Sequence, residues 1–328
     1  MNKCIGCGAI LTSDITKEGY TASIGSKLCE RCFRIRNYNE YQVVIKDNAD
    51  YIDILKSINV DSLVILVVDL LNINNRLFEI GKVIKNNVLL VLTKYDLIPF
   101  NNEEKIMDFF KPLNLNIVDT VIISSQNNYH FDELYQKIKQ YKSGNKVYVI
   151  GYTNAGKSSM INKLIYNYSN NIDYITTSNL PSTTLNTIEI GIDDFILVDT
   201  PGLLDDNICN YVDSNLIKKI VPKRRVKPIT YQIKSLQTII VEDILMICCD
   251  KVNLTLYFSN QLRINRVYKN VSNNLKTYRL QVYKGQEIVI LGLGFIHVAN
   301  DAYIEISVIG NTSVFVRNSL IGGKNEKK

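Results

Sequence analysis

The sequence predicts an α/β protein with three parts: a four-cysteine knuckle at 1–46, a doubly wound, mostly parallel sheet at 47–217 and a β-rich domain at 218–328. Three observations predict it. Continuous β-branched runs alternate with helix-spaced stretches, as expected of strands buried on both faces of a parallel sheet. One run, Val147 to Ile150, leads through a Gly-containing loop into helix-spaced Met160 to Ile165. Beyond residue 218, short alternating runs with tyrosines replace that rhythm.

The first segment carries Cys4-Ile5-Gly6-Cys7 and Cys29-Glu30-Arg31-Cys32. About twenty residues separate these two C-x-x-C pairs, slightly beyond the usual window for a four-cysteine zinc site. So short a segment buries too little apolar surface to fold alone, and a zinc ion contributing roughly 10–16 kcal/mol would order it. Four thiolates leave no open coordination position, so Cys4, Cys7, Cys29 and Cys32 are expected to hold a structural zinc. Unligated thiols are the competing reading. Lys27, Arg31, Arg34 and Arg36 lie near the second pair, as a phosphate-facing or a merely solvated basic surface. Cys209, Cys248 and Cys249 read as small buried thiols.

Residues 50 to 98 read as helix, strand, helix, strand. The strand runs are Ser62 to Val68 and Asn87 to Leu92; the second ends in Thr93-Lys94-Tyr95-Asp96, and Pro99 closes the element. Val121 to Ile123 forms a third strand, ending in Ser124-Ser125-Gln126. Next comes Gly151-Tyr152-Thr153-Asn154-Ala155-Gly156-Lys157-Ser158, a G-x-x-x-x-G-K-S loop between strand and helix. Gly151 and Gly156 let the backbone turn and approach phosphates closely. Amides along Asn154, Ala155, Gly156, Lys157, Ser158 and Ser159 form an anion nest at the helix N-terminus. Lys157 adds a point charge against the β- and γ-phosphates, and the Ser158 hydroxyl suits Mg²⁺. A loop with Leu180-Pro181-Ser182-Thr183-Thr184 follows, then strands at Thr187 to Ile192 and Phe195 to Val198, the last entering Asp199-Thr200-Pro201-Gly202. Each motif stands at a strand's C-terminal end, where doubly wound sheets bind ligands.

The third segment opens with Lys218, Lys219, Lys223, Arg224, Arg225, Lys227 and Lys234, with no acidic residue among them. This run is either an RNA-facing patch or a solvated linker. Strand-like runs follow at Leu254 to Phe258, Glu287 to Ile290 and Ile304 to Val308, with Gly292-Leu293-Gly294-Phe295 between the last two.

Hydrophobic content of 46% and charged content of 21% are ordinary for a soluble globular chain. A net charge of +6 excludes a polycation, so any nucleic-acid contact must come from a local patch. No apolar run is long enough to span a membrane, and no signal-peptide core follows Met1. A cytoplasmic protein without a membrane partner is expected, and the cysteine pattern suits a reducing compartment.

Thr93-Lys94-Tyr95-Asp96 resembles the guanine motif N-K-x-D, and Ser124-Ser125 the S-A loop. The phosphate loop, the Thr183-Thr184 switch and D-x-x-G at Asp199 to Gly202 come after them, a rotated order that a circular permutation produces. With the cysteine knuckle, Lys227-Pro228 and Gly-Leu-Gly-Phe, the chain resembles YqeH-type circularly permuted GTPases over nearly its whole length. The resemblance implies GTP/GDP and Mg²⁺ as ligands and a slow GTP-hydrolysing switch in small (30S) ribosomal subunit assembly. It also implies the small subunit or its rRNA as partner, no DNA, and a monomer.

The family pattern assigns Asp96 to the N1–H and N2–H of guanine, with Thr93 and Lys94 beside it and Ser124 and Ser125 near the base. Thr93 stands where the family has Asn, which should weaken the contact to guanine N7 and the tie to the phosphate loop. Ser182 replaces a common Gly, and Phe295 a common Trp. Ser158 and Thr184 (Thr183 as the alternative) bind Mg²⁺, Asp199 holds it through water, and the Gly202 amide senses the γ-phosphate.

Leu203 occupies the place of a water-orienting Gln and cannot polarise water. Related enzymes pair such a residue with a loop Asn that holds K⁺, here Asn154, and the ion's charge would act among the phosphates with Lys157, Thr184 and Gly202. Unassisted hydrolysis is then expected to be no faster than the roughly 10⁻⁴ s⁻¹ of an unassisted small GTPase. Two functions stay open: a GTP-controlled assembly factor, or a GTP-stabilised nucleic-acid-binding scaffold with little or no turnover.

Overall fold

The computed structural model describes residues 4, 10–14, 20–21, 25–27, 29–30, 48–99, 103–169, 175–179, 186–203 and 205–321. Cys7, Cys32, Arg31, Arg34, Arg36 and the Leu180 to Thr184 loop lie outside the described residues.

Two compact units divide the chain. The first comprises Met1–Asp69, Ile80–Lys94 and Leu115–Leu204; the second comprises Leu70–Glu79, Tyr95–Asn114 and Asp205–Lys328.

The first unit is built on a seven-stranded sheet. Its strands are β1 (Leu63–Asp69), β2 (Asn87–Thr93), β3 (Asn116–Ile122), β4 (Lys146–Gly151), β5 (Ile175–Asn179), β6 (Asn186–Ile192) and β7 (Phe195–Asp199). Their order is β3-β2-β1-β4-β7-β6-β5. The five from β3 to β7 pair in parallel, whereas β6 runs antiparallel to both β7 and β5. The sheet is therefore mixed and mostly parallel, as its sequence runs predict. All seven positions of β1 are buried, the mark of a strand covered on both faces.

On one face, Leu63, Ile65 and Val67 of β1 join Leu89 and Val91 of β2 and Val147 and Val149 of β4 in a single core. Helices α4 (Phe131–Tyr141) and α5 (Lys157–Tyr168) close it with Phe131, Leu134, Ile138, Met160, Ile161 and Leu164. These fall at helical spacing, which is why each helix has one apolar face to bury. Among the described residues the shorter helices α1 (Asn48–Ser57), α2 (Leu77–Val83) and α3 (Glu103–Phe110) precede these in the chain, α3 belonging to the second unit.

The second unit holds two antiparallel five-stranded sheets, ordered β12-β9-β10-β16-β13 and β17-β14-β15-β11-β8. They run from β8 (Ile229–Ile233), β9 (Gln237–Val241), β10 (Leu245–Cys249), β11 (Val252–Phe258) and β12 (Ile264–Val267) to β13 (Lys276–Val282), β14 (Gln286–Ile290), β15 (Gly294–Val298), β16 (Ala302–Val308) and β17 (Val314–Asn318). Inward residues of both sheets, among them Ile247, Ile304, Ile306, Leu254, Ile288 and Ile296, form one core. Gly292 has φ +83, and a Cβ there would stand 1.9 Å from Asn207 Oδ1, so the Gly-Leu-Gly-Phe turn admits no side chain at its first position. Phe295 is fully buried, stacked on Tyr257 with ring centres 4.6 Å apart.

Of the three remaining thiols only Cys249 is buried, and burial pushes it up to about 12; Cys209 and Cys248 are half-buried instead. Among the described residues, no helix is long and apolar enough to cross a membrane.

Candidate nucleotide-binding site

Because β1, β2, β4 and β7 are parallel, their C-terminal residues Asp69, Thr93, Gly151 and Asp199 reach one edge of the sheet. The register aligns Asp69 with Thr93, Val67 with Gly151 and Val149 with Asp199. The phosphate loop starts at that edge. A Cβ on Gly151 would lie 2.5 Å from the Val67 carbonyl oxygen, so the tight passage of β4 beside β1 requires glycine. Asn154 (φ 60) and Gly156 (φ 95) complete the turn in left-handed conformations, and α5 begins at once with Lys157. No side chain caps that helix, so its first-turn amides are presented at the loop, the arrangement that binds anions.

Lys157 and Asp199 are both buried and oppositely charged, with Nζ 3.1 Å from Oδ1. The same ammonium donates to the Thr200 carbonyl. A cation for phosphate and a carboxylate suited to a divalent metal thus meet at the end of one strand. Two hydrogen bonds join their loops: Thr153 N–H donates to Leu203 O (2.9 Å), and Leu203 N–H donates to Gly151 O (3.1 Å). They seat Gly202 so tightly that a Cβ there would stand 3.2 Å from Thr153 Cγ2. The Leu203 side chain is buried and has no polar atom to direct a water molecule.

Thr93 itself makes a tie between the guanine motif and the phosphate loop: its hydroxyl donates to the Ala155 carbonyl at 2.6 Å. The end of β2 comes so near Gly156 that a Cβ there would lie 3.2 Å from Thr93 Oγ1, a gap that a short hydroxyl spans. Lys94, with φ 63, turns its ammonium to Asp69, 2.7 Å from Oδ2. Asp96 follows on a 3-10 turn, Tyr95–Leu97, and is half-buried.

Ser124 is buried and bridges to Tyr129, with Oγ accepting from Asn127 N–H at 3.2 Å; Ser125 is half-buried beside it. Ser158 is half-buried and Ser159 exposed on the first turn of α5, and Asn154 is exposed at the loop tip. Thr183 and Thr184 lie outside the described residues, as do Cys7 and Cys32. The other two knuckle cysteines, Cys4 and Cys29, are buried together, and Cys29 N–H donates to Cys4 Sγ at 3.2 Å. Among the described residues no group of three metal-ligating side chains converges.

Sequence reasoning missed two participants. Tyr51 on α1 is buried, and its hydroxyl accepts from Gly151 N–H at 3.2 Å, supporting the loop from beneath. Burial holds its pKa above the ordinary tyrosine range, so it stays neutral. A lone tyrosine one hundred positions upstream of Gly151 gives no sequence signal. Asp69, the partner of Lys94, had one: an acid closing an otherwise apolar strand.

Residues 35–208 match the family described as RsgA GTPase, just over half of the chain, and residues 146–290 match the family described as 50S ribosome-binding GTPase. The "Uncharacterized protein YqeH" of Bacillus subtilis is 33% identical, with 97% of this chain and 99% of that one covered. NO-associated protein 1 of Arabidopsis thaliana is 24% identical over 72% of this chain and 49% of its own length. GTPase Der of Mycoplasma capricolum is 29% identical over 43% of this chain and 34% of its own. A phosphate loop carried by β4, after a guanine motif carried by β2, agrees with the relative matched over nearly its whole length: the chain belongs to the YqeH-type circularly permuted GTPases.

Proposed function

We propose that this GTPase is a slow nucleotide switch in small ribosomal subunit assembly, holding rRNA through its β-rich unit for as long as GTP persists. The observation that carries the reading is the buried Lys157–Asp199 pair between the phosphate loop and the D-x-x-G loop. A γ-phosphate competes for Lys157 and a divalent cation competes for Asp199, so loading would exchange this contact for ligand contacts. Asp199 stands six residues before Asp205, where the chain enters the β-rich unit. The ribosome-binding description of one matching family supports a ribosomal partner. So does the exposure of Lys218, Lys219, Lys223, Arg224, Arg225, Lys227 and Lys234. Sedimentation with isolated small subunits tests the reading. Co-migration with a non-hydrolysable GTP analogue and release with GDP is the expected result; equal migration in both nucleotides would refute a switch.

The residues fit a divalent cation. The Asp199 carboxylate and Ser158 hydroxyl, with Thr184 or Thr183, would hold Mg²⁺, which neutralises phosphate charge when bound. Gly202 would donate its amide to the γ-phosphate, and Asp96 would read the base.

With Leu203 buried, no side chain at that position serves water. Asn154, exposed at φ 60, is therefore assigned to K⁺. Replacing K⁺ by Na⁺ at equal ionic strength should slow turnover, and Asn154→Ala should erase the difference. Equal wild-type rates in both salts would remove potassium. Leu203 also favours the second reading, a GTP-stabilised scaffold, which an absence of turnover even with ribosomal particles would establish.

The Cys4–Cys29 contact, with an amide donating to sulfur, suits a thiolate site completed by Cys7 and Cys32. One zinc per chain should be found by metal analysis of protein purified without chelator, and Cys29→Ser should lose it while keeping GTP binding. A metal-free wild-type chain would exclude zinc.

A further inference from the structure

The β-rich unit carries a cation–aromatic cluster that the nucleotide chemistry does not use. Strands β8 and β12 each end the order of their own five-stranded sheet, and Arg266 on β12 bridges the two. Its Nε donates to Gln237 Oε1 at 2.5 Å and its Nη2 donates to the Gln232 carbonyl at 3.1 Å. The guanidinium lies 5.1 Å from the ring centre of Tyr268 and 5.8 Å from that of Tyr231. No carboxylate pairs with Arg266 among the described residues, so amide and carbonyl groups hold it while its charge stays uncompensated.

Tyr231 is half-buried, but Tyr268 is 71% exposed, the most of any tyrosine together with Tyr166 among the described residues. A large ring is thus fixed by a cation on one side and open to solvent. Lys223, Arg224, Arg225 and Lys227 precede β8, Lys234 directly follows it, and Lys269 directly follows Tyr268. All six are exposed and make no ion pair among the described residues.

An open aromatic face braced by a cation, with unpaired cations on the adjoining chain segments, is the combination that binds single-stranded nucleic acid. Phosphates take the cations and an unpaired base takes the ring. A duplex satisfies only the first half, because its bases are stacked inward. An acidic protein surface likewise satisfies only the cations and leaves the ring without a flat partner.

We propose that the β8–β12 edge binds single-stranded RNA, with Tyr268 stacking on a base, Arg266 bracing the ring, and Lys234 and Lys269 holding the flanking phosphates. This rests on the ribosomal RNA reading above and narrows it to unpaired segments.

The test uses the full chain and fluorescence anisotropy with a labelled oligouridine of roughly twelve nucleotides, an abasic strand of equal length, and a duplex. Tyr268→Ala should weaken oligouridine binding about tenfold, the value of one stacked base, and leave the abasic strand unaffected. Tyr268→Phe should bind as wild type, since stacking needs only the ring. Lys234→Ala with Lys269→Ala should reduce the salt slope by about 1.4, two contacts at roughly 0.7 each. Tyr268 is exposed, so its replacement leaves folding intact. Unchanged oligouridine affinity in Tyr268→Ala overturns the proposal, as does a duplex that binds equally well or polyglutamate that competes as strongly per charge. A wild-type chain that binds no oligonucleotide overturns it too, while co-sedimentation with small subunits judges the switch reading separately.

Discussion

Replacing Lys157 by alanine is expected to abolish GTP binding and, separately, to destabilise the unliganded fold. The first effect follows from losing the only side-chain cation of the phosphate loop. The second follows from burial: both partners of the Lys157–Asp199 pair are almost entirely removed from solvent. Truncating one member of a buried pair leaves the other charge uncompensated, at about 3–5 kcal/mol. Lys157→Ala should therefore lower the melting temperature of nucleotide-free protein by several degrees. Lys157→Ala with Asp199→Asn should recover much of that loss without recovering GTP binding. Calorimetry of both variants beside nucleotide titration separates the effects. An unchanged melting temperature in the single variant would show that the buried contact contributes nothing.

The second large effect is expected at Asp96. A carboxylate offers only acceptors, matching the two adjacent donors of guanine; an amide offers one donor in their place. Asp96→Asn should weaken GTP binding by roughly a hundredfold, about 3 kcal/mol for charged hydrogen bonds lost from a shielded site. Xanthosine triphosphate, with a carbonyl where guanine carries its amino group, should gain. Thr93→Ala offers the contrast. It deletes the bond to the Ala155 carbonyl, so it should weaken all purine nucleotides alike and leave selectivity unchanged. If Asp96→Asn binds GTP as tightly as wild type, base recognition lies elsewhere.

Thr93 and Tyr51 mark where the sequence stops being informative. Strand boundaries came within a residue or two at β1, β2, β4 and β7, because their apolar runs are bounded by the motifs themselves. The β3 run was caught only at its end, since its exposed and half-buried positions lack the continuous apolar signal of β1. Strand β5, Ile-Thr-Thr-Ser-Asn, carries no hydrophobic pattern and exists through its pairing with β6. Thr in the place of Asn reads as a weaker tie in one dimension. The approach of β2 to Gly156 makes it a short hydrogen bond.

What the sequence determined by itself was the chemistry that depends on neighbours along the chain. A strand, a turn of fixed glycine spacing and a helix N-terminus occupy consecutive residues, so the phosphate loop and its lysine were legible, as were the order of the motifs and the permutation that order implies. Tertiary structure decided whatever depends on distance in space. It brought Tyr51 to Gly151, Asp69 to Lys94 and Arg266 between Tyr231 and Tyr268. It also grouped Leu70–Glu79 and Tyr95–Asn114 with the β-rich unit, although the sequence places both among the strands of the nucleotide-binding sheet. Such partners are chosen by packing and register, which join residues far apart in the chain and leave no periodic trace in either segment alone.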